Sequence, residues 1–332
     1  MIEFITKRIL STIGLLLVLS AITFVIIQLP DGDYGDLIKN QAISMGGASP
    51  EQAQQLADAA RERYGLNEPV LTQYANWLKN IVFHFDFGYS FAYNKPVMEV
   101  VGERLPRTIF IALGCHIGAT LLGVFAGIFA ATNQNRIGDR VATLLSFIAM
   151  TVPRFVMAII IVYFMIFAWD IGSIGAMNSP EYLFEPMSWN KFFDTLVHIW
   201  PVIFIAAFGG MAFNLRLMRG NLLDILKMQY IETARAKGLR ESKVIYKHAV
   251  PNALHSLISY QGVALPYMIT GEMEAAMVLG IPTIGPLIIS AMAEQDTYVI
   301  GTIMLLVAAL LIIGNLISDL LLAILDPRIR LS

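Results

Sequence analysis

Charged residues are scarce in this chain. They make up 14% of its 332 residues, and hydrophobic residues make up 56%, against about 25% and about 45–50% in a soluble domain. The few charges are also segregated, which leaves apolar runs as long as the roughly 20 residues that cross a bilayer. The mean hydropathy of +0.64 agrees with this pattern. The composition excludes a soluble globular protein and predicts an all-α integral membrane protein.

Motifs for chemistry are also missing. Cys115 is the only cysteine, so the chain can form no internal disulfide, and we interpret Cys115 as a small packing residue. There is no G-x-x-x-x-G-K-[ST] nucleotide loop, no H-E-x-x-H zinc motif and no G-x-S-x-G nucleophile motif. The five histidines show no metal-ligand spacing. We therefore expect no enzymatic activity, no cofactor and no metal site in this chain.

The apolar runs predict six transmembrane helices. They cover residues 9–29, 108–132, 141–169, 198–218, 253–269 and 299–325. Acidic residues outnumber basic ones in the polar links 31–106 and 170–197, whereas 133–140, 216–248 and the tail carry Lys or Arg. Because basic links stay on the cytoplasmic side, both termini are predicted to be cytoplasmic.

This pattern divides the chain into four predicted parts. They are an N-terminal transmembrane helix (1–30), an outer helical segment (31–106), a five-helix core (107–325) and a cytoplasmic tail (326–332). In the outer segment, Ser49 and Gln52 form a capping-box pattern before a helix, and Gly65 is a helix stop.

One apolar stretch of the core, 271–293, does not fit a continuous helix. Pro282, Gly285 and Pro286 interrupt it. Irregular backbone at membrane depth is tolerated where it is buried in protein or lines a water-filled cavity. We therefore expect a re-entrant segment on the outer side.

Three charged residues fall in apolar surroundings, where each costs about 2.5–3.5 kcal/mol. Arg154 follows Pro153, which favours a broken helix beside a cavity. Arg154 either pairs between helices or lines a polar pathway for anionic groups. Glu272 and Glu274 are either pathway residues or lie at the outer interface.

The cytoplasmic loop 219–252 is polar and basic, yet its sequence predicts structure. Residues 222–237 are predicted to form a helix that ends at Gly238 in a left-handed cap, and a second helix is predicted to start near Glu241. Ala234 and Gly238 lie four residues apart, which gives a small-residue surface that another protein's backbone could approach. The alternative is an ordinary positive-inside loop.

Several motifs resemble those of one family. The segment Glu232-Thr233-Ala234-Arg235-Ala236-Lys237-Gly238 is similar to the E-A-A-x-x-x-G signature of membrane permease subunits of bacterial binding-protein-dependent ABC importers. Further segments resemble the peptide/nickel permease branch, first-subunit type: Arg63-Tyr64-Gly65-Leu66-Asn67-Glu68-Pro69, Asp86-Phe87-Gly88-Tyr89-Ser90, Arg104-Leu105-Pro106, Ile281-Pro282-Thr283-Ile284-Gly285 and Leu325-Asp326-Pro327-Arg328. Three positions depart from the pattern and leave the substrate open: Thr233 in place of Ala, Arg154 where a small or apolar residue is expected, and Ala276 in place of a Glu.

The resemblance implies a type I ABC importer permease in the bacterial inner membrane. Glu232–Gly238 would be a coupling helix that docks in a groove of the cytoplasmic ATPase. The implied partners are a second, similar permease, one or two kinds of ATPase subunit that bind ATP and Mg, a periplasmic or lipid-anchored substrate-binding protein, and membrane lipid. No nucleic acid is implied.

The resemblance favours di- or oligopeptides as the substrate, moved by alternating access. Oligosaccharides, opine-like compounds and nickel chelates are the alternatives within the same machinery. An ion-coupled secondary transporter would need internal inverted repeats and a midplane carboxylate site, and neither is evident in the sequence. A membrane scaffold would need no polar pathway.

Overall fold

The computed structural model describes residues 2–28, 32–44, 47–90, 92–169 and 175–325. The predicted tail at 326–332 lies outside these residues. The helices and strands are α1 (Ile2–Ile27), α2 (Tyr34–Ser44), α3 (Pro50–Tyr64), α4 (Val70–His84), β1 (Tyr89–Ser90), β2 (Lys95–Pro96), α5 (Val97–Gly102), α6 (Leu105–Thr132), α7 (Ile137–Thr151), α8 (Arg154–Phe167), a 3₁₀ turn (Pro180–Tyr182), α9 (Trp189–Ile225), α10 (Gln229–Ala236), α11 (Glu241–Lys243), a π-helical turn (Val244–Ala249), α12 (Val250–Val278), α13 (Ile284–Ala293) and α14 (Thr297–Leu325).

The chain forms two compact units. We call the described residues of Arg107–Gly285 and Leu310–Ser332 the core unit, and those of Ile2–Pro106 and Pro286–Ala309 the N-terminal unit.

In the N-terminal unit the predicted helix caps are confirmed. The Ser49 hydroxyl accepts a hydrogen bond from the Gln52 amide, while the Gln52 side chain accepts one from the Ser49 amide. Gly65 ends α3 with a φ of 66°, in the left-handed region that glycine adopts without strain. These local signals set both ends of α3.

An ion-pair cluster joins α2 to α3 in the same unit. The Arg61 guanidinium lies 2.8 Å from the Asp33 carboxylate and 2.6 Å from that of Asp36. Hydrogen bonds from the Asp33 amide and from Arg61 lower the pKa of Asp36. The carboxylate is therefore ionised at neutral pH, and its attraction to Arg61 weakens only as the pH falls through that lowered pKa.

The described part of the chain contains three helices that are long and apolar enough to cross a membrane: Val97–Thr132, Trp189–Ile225 and Thr297–Ile317. The bent pair Ile137–Thr151 and Arg154–Phe167 gives a fourth if it counts as one span. The two other predicted spans correspond to α1 and α12. The number of six spans therefore stays a prediction.

The third predicted span, 141–169, is a broken helix. Its two halves, α7 and α8, meet at an angle of 101°. Pro153 explains the break, because proline has no amide hydrogen and disfavours helical backbone at the preceding residue, Val152, which is extended here. Arg154 consequently occupies the first position of α8, not the middle of a continuous helix.

The predicted interruption at 271–293 starts later than expected. Helix α12 continues through Gly271 to Val278, and the chain breaks at residues 279–283 before α13 begins at Ile284. Gly280, with a φ of 66°, lies in this break. Pro282 lies in this break, as predicted, and Pro286 lies in the first turn of α13. The first part of the stretch, residues 271–278, continues the preceding helix instead of belonging to the irregular segment.

Small residues let helices of the core unit approach closely. A Cβ added to Gly123 of α6 would lie 2.4 Å from the Cβ of Asn214 on α9, and one added to Gly127 would lie 2.8 Å from the Leu215 carbonyl. Cys115 is fully buried in the apolar cluster beside this contact, which confirms its predicted packing role. Close backbone approach of this kind drives helix association in lipid.

Polar side chains connect three helices of the same unit. The Thr120 hydroxyl donates to the Gln261 side-chain oxygen at 2.8 Å, and the Gln261 amide donates to Asn214 at 3.2 Å. These residues belong to α6, α12 and α9, so the network joins all three helices. Such bonds contribute about 0.6 kcal/mol each on average in membrane proteins, enough to favour one arrangement of the helices.

Candidate functional site

The basic segment of residues 226–249, called the arm below, begins with a break that the sequence pattern did not show. Helix α9 ends at Ile225 and α10 begins at Gln229, with Met228 extended between them. The single helix predicted over 222–237 is therefore two helices. The predicted cap is present: Gly238 has a φ of 74° and its amide donates to the Arg235 carbonyl at 2.9 Å.

The two faces of α10 differ in their surroundings. Ile231 and Ala234 are buried in an apolar cluster that includes Leu222 of α9, Val244 of the π-helical turn and Leu257 of α12. The exposed residues of the signature segment are Glu232, Thr233, Arg235, Ala236, Lys237 and Gly238. The small-residue surface expected at Ala234 and Gly238 is corrected accordingly, because Ala234 packs against its own chain.

An exposed ion pair joins α10 to α11 within the arm. Arg235 Nη2 donates to Glu241 Oε1 at 2.7 Å, and Arg235 Nε lies 3.2 Å from Oε2. The hydrogen bond from Arg235 lowers the pKa of Glu241. On the side of α12, the Asn252 side chain donates to the Tyr230 hydroxyl at 3.2 Å. Together with the buried face of α10, these contacts hold the arm as one body on α9 and α12.

The end of α9 that carries the arm is anchored by a second ion pair. Arg219 Nε and Nη2 donate to the two oxygens of Asp139 at 2.7 and 2.8 Å. Asp139 is buried and also accepts from the Asn135 amide. Paired hydrogen bonds of this geometry are strong and directional. The sequence pattern gave no sign of this pair, since its members are 80 residues apart.

Arg154 lines a cavity of about 500 Å³ in the core unit. Helices α8, α9 and α12 contribute its walls, and Glu274, Arg216, Phe213 and Tyr260 share it. The Arg154 guanidinium lies against two glycines: a Cβ on Gly271 would be 2.8 Å from Nη1, and a Cβ on Gly209 would be 3.1 Å from Nε. Among the described residues, no carboxylate forms an ion pair with Arg154.

The two glutamates of α12 lie on different faces. Glu274 is exposed and borders the cavity with Arg154. Glu272 is fully buried, and within the described residues neither of its carboxyl oxygens has a hydrogen-bond partner. Positions two apart on a helix point in nearly opposite directions, which accounts for the difference. The structure thus brings Arg154 together with Glu274 and leaves Glu272 outside the cavity lining.

The sequence of this chain matches the profiles of one known protein family over most of its length. The profile of the family "Binding-protein-dependent transport system inner membrane component" matches residues 123–331, and the profile of its N-terminal region matches residues 1–112. The chain belongs to this family. Its members are membrane components of transport systems, so the resemblance inferred from the motifs is confirmed.

Full-length relatives carry related names. The chain is 33% identical to the oligopeptide transport system permease protein AppB of Bacillus subtilis, over 99% of this chain and 100% of the relative. It is also 33% identical to OppB of Haemophilus influenzae, another oligopeptide transport system permease protein, with the same shares covered. A putative peptide transport system permease protein of Brucella abortus is 31% identical over 99% of both chains.

A solved structure supports the fold. A chain of the MetNI methionine ABC transporter, in an inward-facing conformation, superposes with a TM-score of 0.50 and 15% identity. The match covers 69% of this chain and 97% of the other. At this identity the likeness concerns the fold alone.

Proposed function

We propose that the chain is the transmembrane permease subunit of an ATP-driven importer for di- or oligopeptides in the bacterial inner membrane. The observation that carries this proposal is similarity over the whole length to relatives named as oligopeptide permeases. The partners would be a second permease, one or two kinds of ATPase subunit and an external substrate-binding protein. ATP and Mg would bind to the ATPase, because this sequence contains no nucleotide loop.

In this proposal, the arm transmits movement of the ATPase to the membrane helices. The exposed face of α10, Glu232–Gly238, would dock in the ATPase. Its buried face, through Ile231 and Ala234, packs on residues of both α9 and α12. Movement of the ATPase would therefore displace two long helices of the core together, and the cavity would open alternately to each side.

Transport by the complete complex tests the substrate class. The permease pair, ATPases and binding protein would be reconstituted in vesicles and supplied with labelled di- and tripeptides, an oligosaccharide, an opine and a nickel chelate. We expect ATP-dependent uptake of the peptides alone. Uptake of another compound and of no peptide would contradict the peptide assignment. Accumulation driven by an ion gradient without ATP would contradict the importer.

The proposed topology has six spans of type I arrangement, with both termini in the cytoplasm. We expect a cysteine introduced at Ser332 to be labelled by a membrane-impermeant maleimide only after the membrane is opened. One introduced at Gly47, in the outer segment, should be labelled in intact spheroplasts. Because Cys115 is the only cysteine of the chain, Cys115→Ser provides a background without native thiols. Labelling of both sites from the same side would contradict the six-span arrangement.

A further inference from the structure

The cavity around Arg154 contains charges of opposite sign without partners. Arg154, Arg216 and Glu274 all line it. Within the described residues, none of the three forms an ion pair or a hydrogen bond. Charges at membrane depth are costly unless they meet a partner, water or a ligand. Water or a polar ligand is therefore expected in this cavity.

The spacing of the charges follows from the helices that carry them. The Arg154 guanidinium lies against Gly271, and Glu274 follows Gly271 by three residues on α12. Positions three apart share a face of a helix and lie about 4.5 Å apart along its axis. The positive group and the negative group are thus about one helical turn from each other, on one wall of the same space.

Two glycines leave space for the guanidinium of Arg154. Any side chain at Gly209 or Gly271 would press on the guanidinium, since the added Cβ would lie 3.1 Å from Nε or 2.8 Å from Nη1. The guanidinium of Arg154 therefore fits between Gly209 of α9 and Gly271 of α12, and Arg154 lines the cavity. A guanidinium in this setting suits a carboxylate, which it can bind through two parallel hydrogen bonds.

An aromatic pair extends the site away from the two charges. The rings of Phe213 and Tyr260 stack with centroids 4.2 Å apart, and both residues line the cavity. Tyr260 precedes Glu274 by 14 residues, which is about 21 Å along α12. This part of the space can take a side chain of a bound molecule, whereas the backbone between the two charges has to span only about one helical turn.

We infer that this cavity is a binding site for zwitterionic dipeptides, in which Arg154 receives the terminal carboxylate and Glu274 the terminal ammonium. Two residues, at about 3.3–3.6 Å each, span the distance between these two groups. This inference rests on the proposed peptide import and assigns two of its binding residues. The second arginine, Arg216, gives the cavity an excess of positive charge. Loss of the carboxylate contact therefore weakens binding more than loss of the ammonium contact.

Photo-cross-linking of the purified complex tests the site without the selectivity of the binding protein. The probe is a dipeptide that contains benzoylphenylalanine, prepared with free ends, N-acetylated, C-amidated or blocked at both ends. The wild-type complex is expected to capture the free form most strongly, with the label on peptides that contain Phe213 or Tyr260. Arg154→Gln should lower capture of the free form by about tenfold or more, and should abolish the preference for free over amidated probe. Glu274→Gln should abolish the preference for free over acetylated probe.

Matched controls separate this effect from a general loss of charge. Arg140→Gln and Glu185→Gln neutralise exposed residues of the same unit that do not line the cavity, and both should retain the wild-type preferences. Arg154→Lys should restore part of the preference for a free carboxylate. Should Arg154→Gln fail to assemble, Glu274→Gln, at an exposed position, decides the result alone.

Three outcomes overturn the inference: no capture by the wild type, a label elsewhere, or unchanged end preferences in the variants. ATP-dependent uptake of the free dipeptide by the wild-type complex is measured in parallel. If uptake occurs and the label is absent, only this site is wrong. If no peptide is taken up, the proposed function itself fails.

Discussion

A complex that carries Ala236→Trp on α10 is expected to assemble normally and to lose nearly all stimulation of ATP hydrolysis by loaded binding protein. Ala236 is exposed on the signature segment, on the face left free by the contacts of Ile231 and Ala234. An indole there would prevent a partner's surface from approaching the helix. The apolar cluster beneath α10 would be unaffected, so the membrane fold should persist.

Gly238→Val should have the same effect by a different route. Gly238 has a φ of 74°, and an added Cβ would meet no atom within 4 Å. The cost is therefore backbone strain of about 1 kcal/mol or more at the end of α10, with no steric clash inside the chain. Both variants change the arm only at its exposed side. Ala234→Trp would be a poor test, because Ala234 is buried against its own chain.

The measurement compares ATP hydrolysis with and without loaded binding protein, retention of the ATPase during purification, and uptake into vesicles. Ala59→Trp, at an exposed position of α3, serves as the matched control and should behave like the wild type. Wild-type coupling in both Ala236→Trp and Gly238→Val would mean that the arm is only a basic loop. The importer mechanism would then lose its mechanical basis.

Gly123→Leu is expected to prevent folding of the core unit. The first added carbon alone would lie 2.4 Å from the Asn214 Cβ and 2.9 Å from the Met211 carbonyl. Neither atom can move without shifting α9, so the helices would have to separate. Overpacking of a packed interior commonly costs about 1–3 kcal/mol, and a clash with backbone lies at the upper end of that range or beyond it. The separated helices would also lose the hydrogen bond between Gln261 and Asn214.

Gly220→Leu provides the matched control, since an added Cβ at Gly220 of α9 would meet nothing within 4 Å. Yield of monodisperse protein and the thermal unfolding midpoint in detergent would be measured for both variants. We expect near wild-type values for Gly220→Leu and little folded protein for Gly123→Leu. Equal yields and midpoints for the two would show that α6 and α9 do not pack at Gly123.

Features that depend on neighbouring residues were predictable from the sequence. Composition and the length of the apolar runs determined the membrane class. The capping box at Ser49 and the left-handed cap at Gly238 were predicted at the residue, since a cap depends on the hydrogen-bonding groups of its own turn. Pro153 likewise indicated the break between α7 and α8. The motifs of Glu232–Gly238 and their spacing indicated the family that the profiles confirm.

Features that depend on which face of a helix meets another helix required the tertiary structure. Apolarity is nearly uniform around a membrane helix, so the sequence does not show that Ala234 faces inward or that Glu274 and not Glu272 borders the cavity. The ion pair between Asp139 and Arg219 joins residues far apart in the chain, and its existence depends on how α7 and α9 pack. Side-chain type and local spacing therefore determined the class, the caps and the family. Which group each buried side chain contacts depends on how the helices pack against one another.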